Sequence, residues 1–588
     1  MISLQERPHA PALLEASEHT LTLRDGAELF YRAWLPEEPT TKALLLFHRG
    51  HEHSGRWQET VAALGLGDCA VFAWDQRGHG LSSGERGSAP DLATVIRDVE
   101  EWVHHLRTTH GIELPDTVVL AHSLGAVIAT AWVHDYAPPI RGLILATPAF
   151  RVKLYVPLAV PFLRLRQQIF GPGYVKSFVK ASMLTHDPEQ AAHYNADPMI
   201  FRQIAVNLLL DLHDTSARLL DDAGAVNVPL LVLAAGSDWV VKESAQRQFV
   251  ERASSPVKRF ETLPGFSHAI FHEKDRRLVV EKVRDFIDER FASEPEVFAK
   301  QGHDADRHGY THDEYERLRQ PGGLSFAPVR WLMKGPGRLS NGIDLGWKHG
   351  FDSGVMLDYI YRNQAQGLTP LGRLIDRCFL NAIGWRGIRV RRMLLERALR
   401  LLIDETHAAG RPVRLLDIAS GPGRYVLETI HALRTIPITA VLRDYKQENL
   451  DAAAHLRDEL GLAPVTLTHG DAFDRAGLAA ITPRPTIAIV SGLYELFPDN
   501  EPVLRSLRGL ADAIEPGGHL LYTNQPWHPQ VEFIARVLTN REGKPWIMRR
   551  RTQVEMDELV RIAGFEKFSQ EIDPCGIFSV SVARRVEA

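Results

Sequence analysis

Three short apolar runs in the first half of the chain have the length and composition of buried β-strands. Residues 43–47, 70–74 and 118–121 are continuous stretches of apolar side chains, and each is followed by a polar segment that contains glycine. Continuous apolar runs are typical of parallel strands covered on both faces, whereas the alternation over residues 21–34, around an Asp-Gly pair, predicts an edge hairpin. The pattern predicts an α/β fold that opens with a hairpin.

Residues 118–134 combine a strand, a turn and a helix around Ser123. The apolar run leads into His-Ser-Leu-Gly, and residues 125–133 are small and apolar enough for a helix packed on that strand. A serine at such a turn is held in a strained conformation with an exposed hydroxyl, and the next amide points toward a developing oxyanion. The turn predicts a nucleophilic serine, with a merely structural turn as the alternative, and Ala121 stands where the motif begins with glycine.

A serine nucleophile requires a base, and the base requires a carboxylate that orients it. Two later segments supply these groups: the apolar run 229–235 is followed by Asp238, and the weaker run 260–263 is followed by His268. The order Ser, Asp, His along the chain is that of the α/β-hydrolases. Ser123, Asp238 and His268 are therefore the predicted catalytic residues.

Five motifs of the first half are related to those of one enzyme family: HEHSGRW, WDQRGHGLSSG, AHSLGA, GSDWVV and PGFSHAIFHE. With these motifs, residues 1–293 resemble the monoacylglycerol lipase and lysophospholipase branch of the α/β-hydrolases. The resemblance implies that Ser123 is the nucleophile, His268 the general base and Asp238 its orienting partner, with no cofactor. A peptidase or a thioesterase that uses the same triad is the alternative.

The same resemblance implies an oxyanion hole formed by the backbone amides of Gly50 and Leu124, and a supporting role for Glu273. One departure from the family pattern lies beside this predicted hole. Arg49 replaces the glycine that the family has after His48, which bears on the shape of the oxyanion loop.

Residues 150–222 lie where a hydrolase of this fold inserts its cap, and their pattern is irregular and helical. Their most apolar part is residues 154–163, with Arg164, Arg166 and Lys176 close by. Packing onto the core explains this pattern, and an acyl-chain groove or a membrane-facing lid is the alternative.

The length of 588 residues predicts at least two domains. Composition becomes polar and mixed in charge over residues 291–323, which end in Pro-Gly-Gly, so the domain boundary is predicted there. The predicted organisation is a hydrolase domain over 1–293, a linker over 294–323, a helical lead-in or lid over 324–403, and a second domain over 404–588.

Composition narrows the classes of function. A net charge of -5 argues against a general nucleic-acid binder, and three scattered cysteines fit a reducing compartment. The first residues lack the features of a signal peptide, and no apolar run is long enough to span a membrane. Three histidines within residues 48–53 are weak evidence for zinc, so no metal site is predicted. We expect a cytoplasmic enzyme, with peripheral contact at the inner membrane surface left open.

The second domain is organised around a second strand-turn-helix. Residues 413–418, VRLLDI, predict a buried strand that ends in an acid, and a turn that contains Gly421 and Gly423 follows, where a ligand can approach the backbone closely. A second apolar run, 438–442, is followed by Asp444, which is placed to accept hydrogen bonds from a ribose diol. Dinucleotide enzymes share this geometry, but the shortened glycine motif and the paired strands predicted at the end of the chain favour S-adenosylmethionine.

These features make residues 404–588 similar to the class I S-adenosylmethionine-dependent methyltransferases, which implies a Rossmann-like fold and this cofactor. Ala419 departs from that pattern, since the motif usually has glycine there. The resemblance implies the following binding residues: Asp417, Ala419, Gly421 and Gly423 around the methionine end, Asp444 at the ribose, and Asp471 with Ala472 at the adenine. In the loop of residues 491–497, Tyr494 and Glu495 are the candidates for the methyl-acceptor site.

Two basic runs, Arg386–Arg400 and Arg541–Arg551, remain outside these motifs. We interpret them as solvated surface, with attraction to anionic lipid as the alternative and RNA contact as a remoter one.

Together the patterns predict a bifunctional enzyme: a serine hydrolase of acyl esters, of the lipid or lysophospholipid kind, fused to an S-adenosylmethionine-dependent methyltransferase. The expected partners are a small-molecule or lipid ester and a methyl acceptor that the sequence does not identify, without nucleic acid. The alternative outside catalysis is a second domain that senses the cofactor and transfers nothing.

Overall fold

The computed structural model describes residues 15–156, 158–294, 304–322 and 324–586. The chain divides into two units, which we call the first unit (residues 1–298) and the second unit (residues 299–588). Part of the predicted linker, residues 295–303 and 323, lies outside the described residues, as does Pro157 of the predicted cap. Each unit is built on its own sheet.

The first unit contains ten described strands, of which eight form one sheet in the order β1-β2-β4-β3-β5-β6-β9-β10. The strands are β1 Ser17–Thr22, β2 Glu28–Trp34, β3 Ala43–Phe47, β4 Ala70–Trp74, β5 Thr117–His122, β6 Gly142–Ala146, β7 Tyr174–Lys176, β8 Gln203–Ala205, β9 Leu230–Ala235 and β10 Lys258–Leu263. The hairpin β1-β2 is antiparallel and joins β4 in antiparallel register, whereas the other neighbours in this sheet, β4-β3-β5-β6-β9-β10, pair in parallel. The strands β7 and β8 form a separate antiparallel pair. This is the α/β-hydrolase architecture, which confirms the predicted fold.

Helices cover both faces of this sheet and form the cap. They are Gln58–Leu64, Leu92–His110, Leu124–Tyr136, Ala159–Phe170, Ala181–Leu184, Pro188–Ala196, Val206–Asp221, Glu243–Arg252 and Arg276–Ala292. Capping residues set both ends of the longest of these helices, Leu92–His110. The Asp91 carboxylate accepts a hydrogen bond from the amide of Thr94 at its start, and Gly111 ends it at φ 67°. Every residue of β3, β5, β6 and β9 is buried, as expected of central parallel strands.

The second unit is built on a seven-stranded sheet in the order β13-β12-β11-β14-β15-β17-β16. Its strands are β11 Val413–Asp417, β12 Ile438–Asp444, β13 Val465–His469, β14 Ile487–Val490, β15 His519–Asn524, β16 Phe565–Ile572 and β17 Ser579–Arg585. The strand β17 pairs antiparallel with both of its neighbours, and the other pairs are parallel. The strand order reverses between β11 and β14, which is where open α/β sheets bind their ligands.

Residues 324–403 are helical, as predicted for a lead-in to a Rossmann-like domain. The described α-helices of the second unit are Tyr310–Arg319, Ala327–Lys334, Asn341–His349, Gly354–Arg362, Pro370–Leu380, Ile383–Ala408, Arg424–Ala432, Gln447–Glu459, Arg475–Ala479, Asn500–Ala513, Val531–Val537 and Gln553–Ile562. Across the described ranges of both units, no helix combines the length and the apolar character needed to cross a membrane.

The helix Tyr310–Arg319 falls within the segment predicted as a linker. Its Leu318 is buried in a small cluster with Val531 and Ala535, and its Glu314 forms an ion pair with Arg550. Residues of the predicted linker therefore contribute to the core of the second unit.

The interpretation of Arg549, Arg550 and Arg551 as solvated surface is wrong. All three are buried, with at most 2% of each residue exposed. Arg549 donates to the carboxylate of Glu555 at 2.8 Å, and Arg551 donates to the carbonyl oxygens of Tyr494 and Phe497 at 2.7 and 2.8 Å. Carboxylates and backbone carbonyls replace water around these guanidinium groups, which is what makes their burial tolerable.

Candidate functional site

Ser123 stands at the turn between β5 and the helix Leu124–Tyr136. Its backbone has φ 56° and ψ −110°, a strained conformation for a residue with a side chain. The turn depends on Gly125, because a Cβ at that position would lie 2.5 Å from the carbonyl oxygen of His48. Ala121, which stands where the motif has glycine, is fully buried in β5 and pairs with Phe47 and Leu145, so the sheet accommodates its methyl group.

The structure brings Ser123, His268 and Asp238 into one hydrogen-bonded chain. His268 Nε2 lies 2.8 Å from Ser123 Oγ, and His268 Nδ1 lies 2.8 Å from Asp238 Oδ2. Asp238 Oδ1 accepts from the amides of Val240 and Val241 at 2.7 and 2.9 Å. Burial acts to raise the pKa of Asp238, but His268 and these amides outweigh it and hold the pKa below its ordinary value. An ionised Asp238 holds His268 with Nε2 free to accept the serine proton.

Buried contacts fix the loop that carries His268. The carbonyl oxygen of His268 accepts from His122 Nε2 and Thr147 Oγ1, both at 3.0 Å. Glu273 accepts from the amide of Ser267 at 2.8 Å. Glu273 therefore holds the backbone of the residue that precedes His268.

The predicted oxyanion loop is oriented by His48. His48 Nδ1 lies 2.8 Å from the carbonyl oxygen of Arg49, and its Nε2 accepts from the amide of Gln76 at 3.0 Å. Since the N–H and C=O of a trans peptide point in opposite directions, this contact directs the amide of Gly50 away from His48. Gly50 and Leu124, the two residues predicted to supply the oxyanion donors, both line the cavity that contains Ser123.

The guanidinium group of Arg49 does not occupy the predicted oxyanion hole. The side chain is buried, its Nη2 donates to Glu52 at 2.7 Å, and its guanidinium carbon lies 4.9 Å from the centre of the Tyr194 ring. Burial opposes ionisation of Glu52, but the charge of Arg49 and neighbouring cations lowers its pKa. The ion pair anchors Arg49 within the loop.

A cavity of about 150 Å³ adjoins Ser123 and extends under the cap. Its cap-side lining is largely apolar and includes Leu154, Val175, Phe178, Leu208 and Leu212. Such a lining suits an acyl chain, whose ester carbonyl would lie at the serine.

The second unit has a cavity of about 580 Å³ at the switch point of its sheet. The structure brings six of the seven predicted cofactor residues to its wall: Ala419, Gly421, Gly423, Asp444, Asp471 and Ala472. Gly423 has φ 66°, and a Cβ there would lie 2.4 Å from Leu442, so this turn requires glycine.

Asp444 closes the glycine turn onto the end of β12. Its Oδ2 accepts from the amide of Gly421 at 2.9 Å, and its Oδ1 accepts from the amide of Lys446 at 2.8 Å and from Asn449 Nδ2 at 3.0 Å. A carboxylate has about four acceptor positions, so these three donors leave capacity for a ligand hydroxyl.

Asp417 does not line this cavity, contrary to the expectation that it contacts the methionine end. It is 1% exposed, and its Oδ2 accepts from the Tyr425 hydroxyl at 2.6 Å. Burial raises the pKa of Asp417 to about 7. The carboxyl group therefore stabilises the glycine turn through two hydrogen bonds, one from the Tyr425 hydroxyl and one from the amide of Ala419 at 3.3 Å.

The two candidates for the methyl-acceptor site lie in different environments. Tyr494 is buried in the core, and its hydroxyl donates to Ser506 Oγ at 3.0 Å, so it is not directed at a ligand. Glu495 lines a second cavity of the same unit, and its Oε1 accepts from Arg391 Nη1 at 3.3 Å.

Comparison with known proteins relates the chain to two groups. A family model described as putative methyltransferase matches residues 283–585, just over half of the chain, and one described as serine aminopeptidase, S33, matches residues 38–275. Over 580 residues the chain is 49% identical to the uncharacterized protein YnbC of Escherichia coli strain K12, with 97% of this chain and 98% of that protein covered.

The chain belongs to this putative methyltransferase family.

Its first unit is similar to lipases. It is 29% identical over 278 residues to a monoacylglycerol lipase of Mycolicibacterium smegmatis, which covers 46% of this chain and 96% of that protein. Human monoglyceride lipase is 28% identical over 253 residues, which covers 42% of this chain and 82% of that protein. The predicted fusion of an α/β-hydrolase with a methyltransferase-family domain is confirmed.

Arg391 was not identified from the sequence as a residue of the candidate site in this member of the putative methyltransferase family. Arg391 lies in the basic run Arg386–Arg400, yet it is 2% exposed and lines both cavities of the second unit. The helical spacing places Arg391 on the same face as the buried Leu395, which is the signal that distinguishes it from the exposed arginines of the run, Arg386, Arg397 and Arg400.

Proposed function

We propose that the chain is a bifunctional enzyme, with a serine hydrolase of acyl esters in the first unit and an S-adenosylmethionine-dependent methyltransferase in the second. The observation that carries the hydrolase is the hydrogen-bonded chain from Ser123 through His268 to Asp238, at the base of an apolar cavity. The cavity at the switch point of the second sheet carries the transferase.

In the hydrolase, His268 Nε2 takes the proton of Ser123 as Oγ attacks the ester carbonyl. The amides of Gly50 and Leu124 stabilise the negative charge that develops on the carbonyl oxygen. His268 then gives its proton to the departing alcohol, and a water molecule activated by the same imidazole releases the acid. Asp238 stabilises the charged imidazolium at each step and stays ionised, in keeping with its lowered pKa.

The lining of the hydrolase cavity favours an acyl ester over a peptide. An aminopeptidase must bind a substrate ammonium, for which a carboxylate is the usual partner, but among the described residues no Asp or Glu lines this cavity. The apolar cap side matches a fatty acyl chain, and the relatives named as monoacylglycerol and monoglyceride lipases support this substrate class.

A panel of substrates tests this choice. We expect a monoacylglycerol to be hydrolysed at least about tenfold faster, as kcat/KM, than an alanyl anilide, because the charged amine would enter an apolar cavity without a partner. A thioester with the same acyl chain separates the thioesterase alternative. Preference for the aminoacyl substrate would contradict the proposal.

In the transferase, the residues at the switch point fit S-adenosylmethionine. Asp444 retains acceptor capacity for the ribose hydroxyls, the turn at Gly421 and Gly423 lets the methionine end approach the backbone, and Asp471 with Ala472 forms the adenine side. When bound, the cofactor supplies an electrophilic methyl group. The work of the protein is to align an acceptor atom with that group and to exclude water.

We also propose that the cap makes peripheral contact with a membrane. The helix Ala159–Phe170 exposes Phe162, Leu165 and Ile169 by 54–67%, and Leu158 before it is 78% exposed. The spacing of these residues places them on one face, which is typical of a helix that lies in a lipid interface.

Vesicle binding tests this contact. With vesicles of phosphatidylcholine and phosphatidylglycerol, we expect the double variant Phe162→Glu/Ile169→Glu to bind about tenfold or more weakly, because two large apolar groups are lost from the interface. The matched control is Leu278→Glu, at an apolar residue of the same unit that is 42% exposed and outside the cap. If the unmodified chain, the double variant and the Leu278→Glu variant bound these vesicles equally well, the result would contradict the proposal.

A further inference from the structure

The second unit contains another cavity beside the one that fits the cofactor. It has a volume of about 310 Å³, and we call it the apolar cavity. Aromatic and aliphatic side chains form most of its wall, among them Phe351, Phe379, Trp385, Ile534 and Phe578. The volume suits a small apolar molecule.

The two cavities share part of their walls. Residues that line both are Asp352, Leu357, Arg391, Gly492, Leu496 and Trp546. A molecule in the apolar cavity can therefore present one end to the cofactor site. The polar groups at this junction determine which end that is.

Three nitrogen donors of the apolar cavity are buried without a hydrogen-bond partner among the described residues: Arg391 Nε, Gln525 Nε2 and Trp546 Nε1. Their residues are 2%, 3% and 9% exposed. Buried donors are nearly always paired, so three unpaired donors around one cavity indicate a ligand that carries hydrogen-bond acceptors.

His528 adds a fourth donor. Its Nδ1 accepts from the amide of Gln530 at 3.0 Å, which leaves the proton of the neutral ring on Nε2. Burial lowers the pKa of His528 to about 4, so the ring stays neutral near pH 7. Gly384 gives it room, because a Cβ there would lie 2.7 Å from His528 Nε2.

The carboxylates of the apolar cavity already have cationic partners. Asp352 Oδ1 accepts from the amide of Arg541 at 2.6 Å, and its Oδ2 lies 3.4 Å from Arg541 Nε. Glu495 is paired with Arg391. If the methyl acceptor were a hydroxyl group, a base would have to remove its proton. The two carboxylates that could do so, Asp352 and Glu495, are already paired with arginine side chains.

We propose that the apolar cavity binds the methyl acceptor, and that this acceptor is a carboxylic acid with an apolar tail. The inference rests on the proposed transferase function. A carboxylate accepts hydrogen bonds from the buried donors, gains a favourable interaction with Arg391, and places its tail among the aromatic side chains. It arrives ionised, so no base is required.

The reaction balances without a further reactant. A carboxylate oxygen forms the new O–CH₃ bond while the S–CH₃ bond of the methyl donor breaks, and the sulfur keeps the electron pair. The products are a methyl ester and a neutral thioether. Ester hydrolysis, the reaction proposed for the first unit, releases this class of acid.

Protection of Cys378 tests the binding site directly. Cys378 is exposed and lines the apolar cavity, so a bound ligand should slow its alkylation by iodoacetamide. In the full chain carrying Ser123→Ala, which cannot cleave an ester product, we expect decanoate to protect Cys378 at about tenfold lower concentration than decanol. Peptide mass spectrometry gives the alkylation rate.

The variant Arg391→Met should remove the advantage of decanoate over decanol, while Arg391→Lys should restore part of it. Thermal unfolding checks that both variants fold. Equal protection by decanol and decanoate in the Ser123→Ala chain would overturn the proposal in favour of a neutral acceptor, and absence of protection by either would overturn the cavity as a binding site.

A calorimetric titration with S-adenosylmethionine on the same samples separates the two levels of inference. Cofactor binding without protection of Cys378 by decanoate refutes only the acceptor proposal. Absence of cofactor binding refutes the transferase itself, whatever decanoate does. Methyl decanoate formed by the Ser123→Ala chain with the cofactor present would support both.

Discussion

Replacing Ser123 by alanine is expected to lower the rate of ester hydrolysis at least about 10³-fold, because removal of one member of a triad removes the covalent route. The variant should keep the fold, since within the described residues the Ser123 hydroxyl bonds only to His268, while the strained turn depends on Gly125. Hydrolysis of a short p-nitrophenyl ester, followed as kcat, measures the effect.

A matched control is Ser254→Ala, at an exposed serine of the same unit. It should hydrolyse the ester at the rate of the unmodified chain. The variant Asp238→Asn keeps the shape of the site and should lose about 10³- to 10⁴-fold, because the imidazolium is no longer stabilised. If the Ser123→Ala chain retained hydrolysis close to that of the control, Ser123 would not be the nucleophile.

Replacing Asp444 by asparagine is expected to weaken S-adenosylmethionine binding by about tenfold to hundredfold. A charge-assisted hydrogen bond contributes about 1.5–3 kcal/mol, and the substitution removes the charge from the residue proposed to hold the ribose. It also weakens the contact between Asp444 Oδ2 and the amide of Gly421, which shapes the turn. Isothermal titration calorimetry on the full chain measures the dissociation constant.

The matched control is Asp451→Asn, on the helix Gln447–Glu459 that follows Asp444. Asp451 is exposed and does not line the cavity that fits the cofactor. Its replacement should leave the dissociation constant unchanged. Equal affinity of the Asp444→Asn and Asp451→Asn chains would remove Asp444 from the binding site.

The sequence was sufficient to locate the central strands and the residues at their ends. Buried parallel strands require continuous apolar runs, and a polar residue directly after such a run lies at the edge where ligands bind. This is why the sequence alone predicts that Ser123, Asp238 and His268 lie close together. Gly423 was predicted at the turn after such a strand, and its φ of 66° and its closeness to Leu442 explain why glycine stands there.

The burial and the side-chain direction of other residues depend on tertiary contacts, which the pattern of residues along the chain does not show. A run of arginines gives no information about which carbonyl groups will surround it, so the burial of Arg549, Arg550 and Arg551 was not predicted. Asp417 was expected at the ligand because it precedes the glycine turn, but the hydroxyl of Tyr425 occupies its carboxylate. Likewise, Tyr494 follows a strand end, yet its side chain turns into the core.

Labelling with a fluorophosphonate followed by titration of S-adenosylmethionine tests most directly that one chain carries two independent sites. We expect mass spectrometry to find the label on Ser123, and calorimetry of the labelled chain to give the same cofactor affinity as the unlabelled chain. A label on another residue, or failure of the labelled and unlabelled chains to bind the cofactor, would contradict the account.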